Sequence, residues 1–121
     1  MKNFEDVITQ TLKQSCKDDY EVIMRKKNVL EIKFDKFVIV LYYSVYEYEL
    51  MFDYYNPKNK KQFYLDILLL GLGCKQEEIP AFKFISNEEV MVKYVQDYLE
   101  LVHKYYTELS DLDKTAKLMI R

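Results

Sequence analysis

The residues best suited to binding a metal ion are Glu100 and His103, which lie three positions apart in a segment of helical periodicity. On a helix this spacing places both side chains on one face, as it does in di-iron helical bundles. Those centres use the motif twice together with further carboxylates, whereas His103 is the single histidine of the chain. Since a structural metal site needs about four ligands, we expect no metal here and an exposed or half-buried helix histidine.

The nucleophiles that the sequence offers are Cys16 and Cys74, with His103 as a base. No third residue is recognisable that would orient the base, so these residues do not define a catalytic triad. The two cysteines lie far apart and lack the spacing of a metal or redox motif. One disulfide between them is conceivable, but free and unreactive thiols in a reducing cytoplasm are the favoured interpretation.

Gly71-Leu72-Gly73 is at best a fragment of a phosphate-binding loop, and its position in the chain does not fit one. Such loops precede a helix and offer the N–H groups of its first turn, whereas these glycines follow the apolar segment 63–70. We expect Gly71 to take the left-handed conformation that ends a helix. No catalytic residue, cofactor or metal ligand is predicted, and the chain is not expected to be an enzyme.

The carboxylates of greatest interest are Glu47, Glu49 and Asp53, which lie in a segment of alternating polarity. If this segment is a strand, successive side chains point to opposite faces. Glu47 and Glu49 would then lie about 7 Å apart on one face, as catalytic carboxylate pairs can, but no tryptophan is present to line a cleft around them. A solvated acidic face is the simpler interpretation. The two predicted faces are Tyr46, Tyr48, Leu50, Phe52 and Tyr54 on the apolar side, and Glu47, Glu49, Met51, Asp53 and Tyr55 on the other.

The alternative interpretation of this segment is a surface that binds a protein partner. Tyrosine is enriched in the cores of interfaces, and a patch of one charge attracts a partner of the opposite charge. A basic protein, such as a nuclease, would fit it. The predicted partner-binding residues are Glu47, Glu49, Asp53, Tyr46, Tyr48 and Tyr55.

The composition is that of a small globular protein and argues against nucleic acid as a partner. The 121 residues include 18 basic and 20 acidic side chains, which give a net charge of -2. Arg25 and Arg121 are the only arginines, and arginine makes most bidentate phosphate and guanine contacts. The basic segment 58–61 is therefore interpreted as a solubilising loop and not as a phosphate site.

The sequence also lacks the marks of export and of membrane insertion. Apolar runs such as Ile67–Leu70 are far shorter than a membrane span. Glu5 and Asp6 stand where a signal peptide needs apolar residues. We therefore expect a cytoplasmic protein without a membrane partner.

Hydrophobic periodicity divides the chain into the helices and strands that would position these residues. Asn3 and the capping box Ser86–Glu89 mark the starts of helices, and Asn28 and the pair Asp35-Lys36 mark tight turns. The predicted elements are a helix over 3–16, strands over 20–26, 29–34 and 37–43, a turn near Ser44 and Val45, a fourth strand ending at Asn56, a helix over 63–70, a possible edge strand over 81–84, a helix over 87–109, and a last short helix or loosely held tail over 110–121.

Together these elements predict a single α+β domain over residues 1–121. Its two layers are an antiparallel meander of about four strands and, packed on one face of that sheet, the N-terminal helix and the long C-terminal helix.

The order of elements resembles that of small proteins of low-GC bacteria associated with the immunity partners of polymorphic toxins. The residues that carry the likeness are Phe63-Tyr64-Leu65-Asp66-Ile67-Leu68 with Gly71 and Gly73, and Ser86-Asn87-Glu88-Glu89. The resemblance covers most of the chain and implies a cytoplasmic inhibitor that binds and neutralises a cognate toxin. It assigns no binding residue, because neither motif carries chemistry.

Two other functions remain open at this point. A structural homodimer would pair through the exposed face of its sheet. A small ligand-binding domain would instead hold a pocket between the sheet and the long helix, near His103.

Overall fold

Five antiparallel strands, joined in sequential order, form the sheet on which the helices pack. The computed structural model describes residues 3–119, so Met1, Lys2, Ile120 and Arg121 lie outside it. The α+β architecture predicted from the sequence is confirmed, with five strands where about four were expected. The strands are β1 (Glu21–Lys26), β2 (Val29–Lys33), β3 (Val38–Ser44), β4 (Glu49–Asn56) and β5 (Lys61–Tyr64), and the helices are α1 (Phe4–Ser15), α2 (Leu65–Gly71), α3 (Glu88–Lys104), α4 (Tyr106–Ser110) and α5 (Leu112–Leu118), with a 3-10 turn at Gln76–Glu78.

The described helices pack on one face of the sheet, as predicted. Along β4 the side chains alternate, and Leu50, Phe52 and Tyr54 are buried beneath the helices. They join the apolar side chains of the helices in one core cluster, from which Val38 and Val40 of β3 are absent. We call the face with Val38 and Val40 the outer face of the sheet.

The N-terminal helix forms as its sequence predicts. Asn3 caps it, because its Oδ1 accepts a hydrogen bond of 2.9 Å from the N–H of Asp6. The ring of Phe4 stacks on that of Tyr43, with the centroids 5.7 Å apart, which ties α1 to β3. The buried stripe of α1 consists of Phe4, Val7, Ile8, Thr11 and Leu12.

The long C-terminal helix begins one residue later than predicted. Its N-cap is Asn87, whose Oδ1 accepts a hydrogen bond of 3.0 Å from the N–H of Val90. The predicted capping box between Ser86 and Glu89 is therefore wrong. An asparagine with extended backbone satisfies the same N–H groups of the first turn that a serine would.

This helix also ends earlier than predicted. Tyr105 leaves the helical conformation with φ of -104° and ψ of 20°, so α3 stops at Lys104 and α4 is a separate helix. The ring of Tyr106 meets that of Phe37 at 5.3 Å between centroids. This contact packs the start of α4 against the residue that precedes β3.

Residues 61–64 form a fifth strand that the sequence analysis missed by placing Lys61 in a loop and Phe63 in a helix. Asn56 closes the preceding turn, because its Oδ1 accepts hydrogen bonds from the N–H groups two and three residues later. Lys60 takes a φ of 58°, which reverses the chain so that Lys61 pairs with Asn56. α2 begins only after this strand.

Two local predictions around α2 are also wrong. Gly71 is the last helical residue, and it is Gly73 that takes the positive φ, at 102°. The helix therefore runs slightly further before the chain turns away. Residues 81–84 form no strand, although their alternating sequence predicts one.

A buried polar network fastens the C-terminal helices to β4. The hydroxyl of Tyr54 donates to the carbonyl of Leu109 at 2.7 Å and shares a hydrogen bond of 2.9 Å with the hydroxyl of Thr115. The side-chain amide of Asn56 donates to the carbonyl of Leu112 at 2.9 Å and to Thr115 at 3.1 Å. Since buried polar groups need partners, this network specifies where α4 and α5 dock.

Candidate partner-binding site

The chain reverses between β3 and β4 through an exposed turn over residues 45–48. Tyr48 takes a φ of 54° there, which is unusual for a bulky side chain. Tyr46 is 92 % exposed and Tyr48 is 54 % exposed. The prediction that both tyrosines lie on the apolar face of a strand is wrong, because β4 begins only at Glu49.

Glu47 and Glu49 come closer together than two residues on one face of a strand. Glu47 belongs to the turn and Glu49 begins β4, and the left-handed backbone of Tyr48 lies between them. A hydrogen bond between the two carboxyl groups is the main cause that raises the pKa of Glu49, followed by desolvation and by the charge of Glu47. A cation beside Glu49 would favour the ionised form of its carboxyl group, so this position suits a basic partner.

Asp53 lies on the outer face of β4, as predicted, but it is engaged within the sheet. Its Oδ2 accepts a hydrogen bond of 2.9 Å from Nε2 of Gln62 on β5. Gln62 also donates to the hydroxyl of Tyr42. Partial burial raises the pKa of Asp53, although the bond from Gln62 lowers it. The carboxylate of Asp53 is therefore engaged by a side chain of the neighbouring strand, whereas Glu47 and Glu49 lie at the turn.

Tyr55 lies still further from the turn. Since a strand rises about 3.4 Å per residue, Tyr55 is roughly 20 Å from Glu49 along β4. With Val38 and Val40 it lines a groove of about 460 Å³ on the outer face. The structure thus brings four of the six predicted residues together at the turn (Tyr46, Glu47, Tyr48, Glu49) and leaves Asp53 and Tyr55 apart from them.

Exposed aromatic side chains of another segment lie beside the turn. The N–H of Ile85 donates to the carbonyl of Tyr48 at 2.8 Å, which holds the segment before α3 against the turn. Phe82 and Phe84 are more than half exposed, and their rings meet edge to face at 5.3 Å. The signal for them in the sequence is the alternation over 81–84, which on its own indicates only an edge strand.

Exposed hydrophobic side chains concentrate at this end of the sheet. Met51, Tyr64 and Phe82 line the same cavity, which connects β4, β5 and the segment before α3. Residues 3–119 contain nine exposed large hydrophobic side chains, and seven of them lie at this end of the sheet. We call these seven the aromatic edge surface: Val45, Tyr46, Tyr48, Met51, Tyr64, Phe82 and Phe84. The other two, Leu70 and Leu118, lie outside it.

A cavity of about 240 Å³ opens within the aromatic edge surface, alongside β4. The carboxylates of Glu49 and Asp66 and the rings of Tyr94 and Tyr98 line it. Carboxylates combined with aromatic faces favour an organic cation such as a lysine or arginine side chain. The other residues that line it are Leu50, Met51, Phe52, Tyr64, Pro80 and Phe82.

The two tyrosines that line this cavity, Tyr94 and Tyr98, are buried and neutral. Desolvation raises the pKa of Tyr94 and of Tyr98, and the charge of Asp66 acts in the same direction on both. Their rings lie 5.4 Å apart, edge to face, and the ring of Phe52 stacks on Tyr98 at 4.2 Å. The negative charge of the cavity therefore comes from its carboxylates.

The residues considered for catalysis or metal binding are placed elsewhere. His103 is exposed on α3, as predicted, and its Nδ1 lies 3.1 Å from Oδ2 of Asp18. Cys16 and Cys74 are free thiols, and burial raises the pKa of each, which disfavours the reactive thiolate. Within residues 3–119, no three His, Cys, Asp or Glu side chains cluster in a way that could hold a metal ion.

Comparison with known proteins identifies no relative. No protein-family model matches the chain, and no curated protein or solved structure matches it significantly. None of the helices within the described range is both long and apolar enough to cross a membrane.

Proposed function

We propose that the chain is a non-enzymatic protein-binding module that engages a basic partner through the aromatic edge surface and the pair Glu47 and Glu49. The observation that carries this proposal is the concentration of exposed aromatic side chains at one end of the sheet. Exposed apolar patches rimmed by polar residues mark interaction sites. Aromatic residues and methionine are also the types enriched in the cores of interfaces.

The two kinds of residue have different roles in this proposal. Phe82, Phe84 and the tyrosines supply apolar contact area that loses water on binding, which is where most binding energy resides in protein interfaces. Glu47 and Glu49 increase the association rate of a basic partner and orient it. Because the hydrogen bond from Glu47 raises the pKa of Glu49, binding weakens as the pH falls and Glu49 becomes protonated.

The resemblance to immunity proteins directs the proposal toward toxin neutralisation. An immunity protein acts by binding alone, so it needs an exposed, specific surface and no catalytic group. The partner we propose is a basic toxin domain, and the two proteins would meet in the cytoplasm. This finer assignment depends on the resemblance, whereas the proposal of protein binding depends on the surface.

Affinity capture with paired variants tests the proposal of protein binding. The chain is immobilised and exposed to lysate of its source organism at low and high salt, and the captured protein is then purified and titrated. Phe82→Ser combined with Phe84→Ser should weaken that complex by at least about ten-fold, since such anchors contribute more than about 1.4 kcal/mol. Leu70→Ser, an exposed hydrophobic residue outside the surface, should leave it unchanged. Equal loss in both variants, or no saturable partner, would contradict the proposal.

Co-expression tests the assignment to toxin immunity. The captured protein should arrest growth when it is produced alone and should be harmless when it is produced with the chain. The Phe82→Ser, Phe84→Ser variant should fail to protect. A captured partner that does not affect growth would remove the immunity assignment and leave the binding module.

The structural homodimer retains one supporting observation. A groove of about 460 Å³ crosses the outer face beside Tyr55, although Val38 and Val40 at its floor are only 8 % and 4 % exposed. Light scattering decides between the two functions. A stable dimer that Tyr55→Lys dissociates and Phe84→Ser does not would favour the homodimer over a partner at the aromatic edge surface.

A further inference from the structure

The edge of β4 is paired for only part of its length. The pairing of β4 with β5 runs from Asn56 and Lys61 to Asp53 and Tyr64, where the chain enters α2. The start of β4, residues 49–51, extends beyond that pairing. Its backbone groups on this side therefore need another partner or water.

The direction of these backbone groups follows from the hydrogen bonds at the two ends of β3. In an antiparallel sheet, successive residues direct their N–H and C=O groups alternately to the two neighbouring strands. The N–H of Phe34 donates to the carbonyl of Phe37 at 2.9 Å, and the N–H of Tyr43 donates to that of Asn28 at 2.9 Å. The odd-numbered residues of β3 thus direct their backbone N–H and C=O groups to β2, and the even-numbered residues direct theirs to β4.

This alternation places the backbone groups of Leu50 on the open edge. The backbone N–H and C=O of Tyr42 point to β4, and those of its partner Met51 point to β3. The backbone groups of the neighbouring residue, Leu50, therefore point away from β3, to the open edge. The turn before β4 is closed on the same side, because the N–H of Ile85 donates to the carbonyl of Tyr48. Among residues 3–119, this is the single backbone hydrogen bond from the segment before α3 to this turn.

The cavity lies directly beside Leu50 and is large enough for a side chain. Its 240 Å³ correspond to roughly eight water volumes. Residues directly opposite each other in a sheet point to the same face, so a residue paired with Leu50 would direct its side chain inward, toward Tyr94 and Tyr98. Glu49 and Asp66 line the same space, so a positively charged side chain would be the complement.

We propose that an extended segment of the protein partner adds to β4 as a strand at Leu50 and inserts a lysine or arginine side chain between Asp66, Tyr94 and Tyr98. The inference rests on the proposed function and names how the partner is recognised. Backbone hydrogen bonds to Leu50 give the segment its alignment, and the cavity gives it selectivity for a basic residue.

Amide hydrogen exchange of the free chain tests whether the edge is open. The N–H of Leu50 should exchange much faster than that of Met51, which pairs with Tyr42 on β3. Equal protection of the two amides would overturn the inference, because it would mean that the segment over 81–84 already closes this edge in solution.

Synthetic peptides test the strand and the basic residue separately. The probe is a capped three-residue peptide, threonine-arginine-threonine, because the free edge lies between the Ile85 bond at Tyr48 and the pair of Asp53 with Tyr64. It is titrated into isotopically labelled chain and followed by NMR. It should shift the amide of Leu50 and the ring signals of Tyr94 and Tyr98. Replacing the central arginine with glutamate should weaken binding by at least about ten-fold.

N-methylation provides a matched pair of controls. Methylating the N–H of the central residue removes its hydrogen bond to Leu50 and should abolish the shifts, whereas methylating the next residue, whose N–H points to solvent, should not. Asp66→Asn in the chain should weaken binding of the arginine peptide, whereas Asp113→Asn on helix α5 should leave that binding unchanged. Equal binding of the arginine and glutamate peptides, or of the two methylated peptides, would overturn the inference.

The outcomes separate this inference from the proposed function. If a partner is captured but the peptides do not shift the amide signal of Leu50, the chain is a binding module that does not bind by strand addition. Peptide binding at Leu50 without a captured protein partner would retain the site and reject the proposed function.

Discussion

Tyr48 combines an unfavourable backbone conformation with an exposed ring. A left-handed conformation costs a residue other than glycine about 1–2 kcal/mol, and more than half of the side chain of Tyr48 is exposed. Its backbone carbonyl accepts from Ile85 whatever the side chain is. Fold stability alone therefore gives little reason for a tyrosine at this position, whereas a binding role does.

Tyr48→Gly should accordingly separate stability from binding. Glycine relieves the strained backbone at some cost in unfolded-state entropy, so urea denaturation should show an unchanged or raised free energy of unfolding, by up to about 1 kcal/mol. Partner capture should weaken. Lys60→Gly is the matched control, because Lys60 has a φ of 58° and lies outside the aromatic edge surface. The free energy of unfolding of this variant should change in the same direction, while its capture of the partner stays the same. A Tyr48→Gly chain that binds as tightly as the wild type would show that this ring makes no contact with the partner.

At the scale of elements, β4 performs two tasks at its two ends. Its last residues, Tyr54 and Asn56, hold α4 and α5 through buried hydrogen bonds. Its first residues, 49–51, face the cavity and the unpaired edge. A strand that is fixed firmly at one end can present a free edge at the other without loss of register.

Asn56→Ala should be strongly destabilising for this reason. The substitution removes the amide N–H groups that donate to the carbonyl of Leu112 and to Thr115, and the oxygen that accepts from the N–H groups of Lys58 and Asn59. Breaking a buried hydrogen-bond network costs about 1–3 kcal/mol. We expect a loss of about 2–3 kcal/mol in chemical denaturation, together with weaker amide protection in α5. Asn59→Ala, which removes one exposed bond to the N–H of Lys61, should cost less than about 1 kcal/mol. Similar losses for the two variants would show that the network does not anchor the C-terminal helices.

At the scale of the whole molecule, four of the twelve tyrosines are buried, Tyr43, Tyr54, Tyr94 and Tyr98. Desolvation raises the pKa of Tyr54 to about 12, partly offset by its hydrogen bond with Thr115. Desolvation likewise raises the pKa of Tyr94 and Tyr98. Tyr46, by contrast, is almost wholly exposed.

Stability should therefore fall in alkali. The unfolded chain ionises its tyrosines near pH 10, whereas the folded chain keeps Tyr54 protonated to about pH 12. The unfolded state then binds fewer protons, so the contribution is complete below about pH 10 and is lost as the pH rises to about 12. For Tyr54 the loss is up to roughly 3 kcal/mol. Denaturation midpoints measured across this range should fall less steeply in Tyr54→Phe than in Tyr46→Phe, and parallel slopes would contradict a buried, neutral Tyr54.

Local interactions explain which predictions from the sequence succeed. The stripe of α1, the hairpin at Asp35-Lys36 and the positive φ of 65° at Asn28 all depend on residues within a few positions of one another. The alternation from Glu49 to Asn56 is local in the same sense. Side-chain periodicity and turn chemistry act over short stretches of chain, so they can be inferred without knowing the partners of each stretch.

The candidate site depends instead on segments that are distant in the sequence. Phe82 and Phe84 lie beside Tyr48 only because Ile85 bonds to its carbonyl, and the edge of β4 is open only because β5 ends at Tyr64. Burial of the apolar core sets these approaches, and many sequences with the same local pattern could satisfy that burial in other ways. The amino-acid order therefore specified the helices, most strands and the acidic, tyrosine-rich segment. The packing of the folded chain selected which of those side chains share one surface.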